Sequence, residues 1–128
     1  MRGSGIINTI EKLPDAELEV MKIIWDNEPP ISTNQIIARL GEDNHWKPQT
    51  VFTLLVRLID RGFLNSAKEG KERTYAPLIG EQEYLQFETK NFIKKYHQNS
   101  LTSFVSTLLG KEYSLSKDDI QSLKKLLD

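Results

Sequence analysis

The sequence predicts a mainly α fold with one small β hairpin, and three observations carry that prediction. Three helix-length segments with apolar faces fill the first half of the chain, two alternating runs flank a polar glycine-containing loop, and helical periodicity returns after Gly80. Three short helices followed by a hairpin is the order of a winged helix-turn-helix domain. The expected organisation is therefore a lead-in at 1–12, a winged-helix domain at 13–79 and a helical domain at 80–128.

Residues 1–4, Met-Arg-Gly-Ser, read as an expression-tag remnant, and 6–12 as a short lead-in. Pro14 and Asp15 supply start signals for a first helix at about 16–25, where Glu17 suits the positive end of the helix dipole. Leu18, Val20, Met21, Ile24 and Trp25 form its apolar face, and 27–30 end it. The second start is sharper. Ser32 with Gln35 three residues on makes a capping box, and Ile31 can staple against Ile36. That helix is expected over 33–40, closed by Gly41.

A polar connection at 41–47 follows, anchored on the core by Trp46, and Pro48 opens the third helix at its first turn. In this helix, expected over 48–61 and closed by Gly62, Val51, Leu54, Leu55, Leu58 and Ile59 make one apolar stripe. Gln49, Thr53 and Asp60 lie opposite, with Thr50 and Arg57 on one shoulder and Phe52 and Val56 on the other. Packing needs only the apolar stripe, so the polar side asks for another explanation.

After Gly62 the period changes to two. Strands are expected over 63–68 and 73–78 around a Glu69-Gly70-Lys71-Glu72 loop, and Pro77 restricts the second strand to an edge. Beyond Gly80 come three helical segments, broken at 98–100 and capped at the last start by Ser116. Their large apolar groups include Tyr84, Phe92, Ile93, Tyr96, Phe104, Leu108, Leu123 and Leu127, too many for helices of this size to bury alone. The same segment of a second chain is the expected cover, in a symmetric interface, and the alternative is that they fold back on the N-terminal domain.

Composition excludes several functions. There is no cysteine, which removes disulfides, thiolate metal sites and cysteine nucleophiles. His45 and His97 have no ligand-type spacing and read as solvated side chains, so no metal and no cofactor are expected. No run approaches a membrane span and no signal peptide opens the chain, so the expected location is cytoplasmic with no membrane partner. Asp118-Asp119 and the Glu81/Glu83 pair sit near helix starts, where the dipole favours them, and no catalytic constellation stands out, so the chain is not expected to be an enzyme.

The net charge of −1 hides a segregation. Acids dominate before residue 44, whereas Lys47, Arg57, Arg61, Lys68, Lys71 and Arg73 face only Asp60, Glu69 and Glu72 between 46 and 75. A major groove admits one helix, whose early residues reach base edges. Gln49, Thr50 and Thr53 suit bases or phosphates, Phe52 suits either a thymine methyl or the core, Lys47 and Arg57 suit flanking phosphates, and Lys71 and Arg73 place charge on the wing.

The run Ala16-Glu17-x-x-Val20-Met21-x-Ile23-Ile24-Trp25, the run Pro48-x-Thr50-Val51-x-Thr53-Leu54-Leu55-x-Arg57-Leu58, and Gly62-Phe63-Leu64 together resemble the penicillinase-repressor family of the BlaI/MecI type. The resemblance extends from about Leu13 to the C-terminus. It implies a bacterial transcriptional repressor, homodimeric on an inverted-repeat operator in double-stranded DNA, with DNA contacts falling on Lys47, Gln49, Thr50, Phe52 and Thr53. In the antibiotic-responsive members release from DNA follows proteolysis at an Asn-Phe bond, the work of an upstream sensor protease; the aligned bond here is Thr107-Leu108, a departure from that target. Lys47 stands where family members often cap with Ser or Thr, and Phe52 where some carry Arg. Two rivals remain: a winged helix used for protein contact through Phe52 and Val56, and a ligand-sensing regulator with Phe87, Phe92 and Tyr96 around a pocket in the C-terminal helices.

Overall fold

Apolar residues at helical spacing decide how the first three helices meet. In a computed structural model, which describes residues 10–110 and 114–128, they are α1 (Asp15–Trp25), α2 (Thr33–Asn44) and α3 (Pro48–Asp60). The tag and most of the lead-in lie outside the described residues. Val20, Met21 and Ile24 of α1, Ile36 and Leu40 of α2, and Val51, Leu55 and Leu58 of α3 are all essentially solvent-free. One core therefore joins the three helices.

The Ser32–Gln35 capping box forms as expected: Ser32 Oγ accepts from the Gln35 amide at 3.2 Å, and Gln35 Oε1 accepts from the Ser32 amide at 2.9 Å. The helix does not stop at Gly41, however. It runs to Asn44, and His45 takes the left-handed conformation that ends it, at φ 58°. A glycine inside a helix costs only about 1 kcal/mol, and nothing in Glu42-Asp43-Asn44 breaks the hydrogen-bond ladder. Lys47 precedes α3 without a side-chain cap, and Pro48 fills the first turn.

Among the described residues three strands form rather than two. β1 (Ile31–Ser32) precedes α2, and β2 (Leu64–Glu69) and β3 (Glu72–Pro77) form the hairpin, giving an antiparallel sheet of order β1-β3-β2. β3 is thus central where it pairs with β1. Pro77 survives because it is the last residue of β3, opposite Leu64 and beyond Tyr75 and Thr74, which pair with β1. Glu69 pairs with Glu72, so the turn shrinks to Gly70-Lys71, with Gly70 at φ +65° supplying the left-handed geometry a two-residue hairpin demands.

Helix α4 (Glu81–His97) starts where expected, but its first two turns belong to the N-terminal core. The chain divides into two compact units, 1–87 and 88–128, and the division falls inside α4 rather than at Gly80. Tyr84 is the cause. It is 1% exposed, its hydroxyl accepts from the Leu13 amide at 2.8 Å, and its ring sits 5.7 Å from Trp25 and 5.6 Å from Phe63. Trp25 in turn donates its indole N–H to the Ile79 carbonyl at 2.9 Å. Tyr84 is therefore a core residue of the first unit and not part of an open face for a second chain. Phe87 packs on it, 6.0 Å between ring centres.

The second unit contains the rest of α4, α5 (Leu101–Leu109) and α6 (Lys117–Leu127). Ser100 caps α5 by accepting from the Ser103 amide, and Ser116 with Asp119 closes a second capping box on α6. His97 is not a solvated side chain. It is buried between Phe92 and Phe104, at 5.7 and 5.5 Å, with Nδ1 3.0 Å from the Ser103 hydroxyl. Neither α5 nor α6 has a buried residue.

Candidate nucleic-acid interface

Burial of Val51, Leu54, Leu55 and Leu58 fixes which side of α3 faces out. Every residue predicted to touch DNA on this helix or its entry, Lys47, Gln49, Thr50, Phe52, Thr53 and Arg57, is exposed. The Thr53 hydroxyl donates to the Gln49 carbonyl at 3.1 Å, which leaves its lone pairs outward. Phe52 is 44% exposed, so it is not a core aromatic. Val56, one turn later, is 57% exposed. Its position seven residues after Gln49 and three after Thr53 puts it on the polar side itself, a signal present in the sequence and obscured by its apolar character.

The hairpin adds cations from another element. Lys71 stands at the turn, and Arg73 on β3 faces Lys68 on β2 in register. Alternation along β3 puts Arg73 on the same sheet face as Tyr75, the face toward α3. Two like charges directly opposite destabilise a strand pair, and an anion between them would relieve that. Arg73 Nη1 donates to the Ser66 hydroxyl at 3.1 Å, and among the described residues it has no carboxylate partner. Between α3 and the sheet runs a groove of about 400 Å³, lined on the helix by Phe52, Val56 and Ile59 and on the sheet by Ser66, Arg73 and Tyr75.

Arg61, the other cation near α3, is engaged elsewhere. Its Nε donates to Glu17 Oε1 at 2.6 Å and its Nη1 to Glu11 Oε1 at 2.5 Å. Glu17 is 1% exposed, so a buried carboxylate on α1 holds the C-terminal end of α3. Hydrogen bonds to Glu17 and then Glu11 raise the Arg61 pKa above its usual value, against a smaller opposing effect of burial. The usual value is already far above working pH. The stabilisation is thus complete at working pH and is lost only as pH rises through the elevated value.

Among the described residues no cluster of His, Asp or Glu could hold a metal ion, and no helix is long and apolar enough to cross a membrane. The residues assigned to dimerisation, Tyr84 apart, lie in the second unit. Phe92, Tyr96, Leu108, Leu123 and Leu127 are exposed, and Ile93 and Phe104 are half-buried. Thr107 and Leu108 are exposed on α5. Phe87 packs on Tyr84 in the first unit, and Phe92 and Tyr96 pack on each other in the second, 4.9 Å between ring centres.

Residues 13–128 match the model of the penicillinase repressor family. The chain is 38% identical to the penicillinase repressor of Bacillus licheniformis over 93% of its own length and 91% of the relative's. To the methicillin resistance regulatory protein MecI of Staphylococcus aureus strain N315 it is 35% identical, over 94% and 97%. Two solved structures match the N-terminal part. One is the DNA-binding domain of the repressor BlaI in solution (TM-score 0.54, 45% identity, 61% of this chain and 94% of that one). The other is monomeric Bacillus licheniformis BlaI in complex with the blaP half-operator (TM-score 0.52, 46% identity, 59% and 92%). The sequence agrees over almost the full length, and the fold over the three-fifths of the chain that the solved structures cover: the chain belongs to the penicillinase repressor family.

Proposed function

We propose that this chain is a sequence-specific DNA-binding transcriptional repressor that acts as a homodimer on an inverted-repeat operator in the cytoplasm. The observation that carries the reading is the exposed side of α3, where Lys47, Gln49, Thr50, Thr53 and Arg57 all face solvent beside a hairpin with opposed Lys68 and Arg73. The relative solved on a half-operator supports it. In this reading α3 enters the major groove, Gln49, Thr50 and Thr53 meet base edges or nearby phosphates, and Lys47, Arg57, Lys71 and Arg73 meet the backbone.

Homodimerisation rests on the second unit. Leu108, Ile120, Leu123, Leu126 and Leu127 are each more than two-fifths exposed, an arrangement a second copy would cover isologously. Each dimer would then set two recognition helices about one DNA turn apart. An upstream sensor protease is the remaining partner in this reading. The Thr107–Leu108 bond lies within α5, so cleavage there requires the helix to unwind.

A gel-shift titration across salt concentrations tests the DNA roles. Arg57→Ala and Lys71→Ala should weaken binding to all sequences and flatten the salt dependence, by about one unit of log–log slope for each phosphate that is no longer neutralised. Gln49→Ala and Thr53→Ala should instead reduce the preference for selected over random DNA. If all four variants bind both kinds of DNA as the parent does, the assignment fails.

A further inference from the structure

On α3, Gln49, Thr53, Val56 and Asp60 follow at steps of four, three and four residues, so they form a ladder along the exposed side. Three of the four are polar. Val56 is the exception, and with Phe52 it makes an apolar ridge one turn long, at 57% and 44% exposure. A β-branched residue gains nothing in helix propensity at such a site. Exposure of its methyls gains nothing either. Val56 therefore adds little to the stability of the free protein, and Phe52 leaves nearly half of its surface in solvent. Behind it lies the groove whose sheet side carries Ser66 and Arg73.

We infer that Phe52 and Val56 select T·A base pairs, each packing on the C5 methyl of a thymine. The inference rests on the reading that α3 lies in the major groove, and it names what the apolar part of that helix recognises there. The thymine methyl is the apolar feature of the major groove, and the ridge is continuous with the polar side chains that face the same groove. Two residues four apart are separated by about 6 Å along a helix, and base pairs along one strand by about 3.4 Å. The two methyls thus belong to thymines one or two base pairs apart. Asp60 ends the ladder. Its carboxylate has no ion-pair or hydrogen-bond partner among the described residues and would repel phosphates, so the reading surface closes at Val56.

The test uses the full chain and an operator selected from random duplexes, in which each thymine is replaced singly by deoxyuridine. That change removes the methyl and keeps every base-pair hydrogen bond. At two thymines in each half-site the affinity should fall about fourfold, the factor expected for one buried methyl. Phe52→Ala should erase the penalty at one of these positions and Val56→Ala at the other. Val56→Ala should melt as the parent does, and Phe52→Ala should lose little and remain folded at the titration temperature, which the melt of each variant checks. Tolerance of deoxyuridine at every position, or penalties that persist in both variants, would overturn the inference and leave the ridge to another occupant. Gln49→Ala and Arg57→Ala on the same operator separate the two levels. If they weaken binding while deoxyuridine is neutral, only the methyl readout fails. If none of the four variants changes affinity, the placement of α3 fails with it.

Discussion

The two units of this chain use the same helical grammar to opposite ends. Both contain an amphipathic helix opened by a serine capping box, α2 with Ser32–Gln35 and α6 with Ser116–Asp119. In the first unit the apolar faces close on one another, and every buried hydrophobic residue from Leu13 to Tyr84 belongs to one cluster. In the second, no residue of α5 or α6 is fully buried, and Leu126 and Leu127 are about four-fifths exposed. Periodicity alone does not distinguish these cases. What differs is whether the chain supplies a partner for the face, and where it does not, a second copy is the simplest source.

The contrast can be broken most severely at Arg61. Arg61→Ala leaves the buried Glu17 carboxylate without its partner, which costs about 3 kcal/mol, the low end for a buried pair because Arg61 itself is partly exposed. Urea denaturation should register that loss in the first unit at any protein concentration. Leu123→Asp strikes the other unit. It should weaken self-association at least about 30-fold, the cost of roughly 2 kcal/mol at an interface anchor, in sedimentation equilibrium, while the first unit keeps its denaturation midpoint. The mildest comparison pits the two caps against each other. Ser32→Ala and Ser116→Ala should each cost about 1 kcal/mol. For Ser32 the deficit should be independent of concentration, and for Ser116 it should shift with concentration, as stability coupled to association does.

Much of the first unit is legible in the sequence because local signals and core demands coincide there. The Ser32 capping box, Pro48 at the start of α3 and the apolar stripe of that helix are each short-range, and each appears where the residues put it. The departures arise where tertiary context overrides local chemistry. Gly41 carries a stop signal but the left-handed turn falls to His45, and β1 is too short to show a period because its two residues also open α2. Tyr84 is unreadable from its own helix. Only its packing on Trp25 and Phe63 and its bond to the Leu13 amide assign it to the first core. At the candidate interface the polar side of α3 is evident from spacing, but whether Phe52 lies in the core needs its exposure. Val56 is harder to recognise, because an apolar residue on a polar face looks like an irregularity and not a reader.

The division of labour itself is tested by one measurement: the stoichiometry and cooperativity of binding to the selected inverted repeat, for the full chain and for Leu123→Asp, across salt concentrations. The full chain should bind as two copies with positive cooperativity. Leu123→Asp should keep the same salt dependence on a half-site and lose the cooperativity. Cooperative binding that survives the substitution, or a complex indifferent to salt, would contradict a protein that reads DNA with its first unit and pairs through its second.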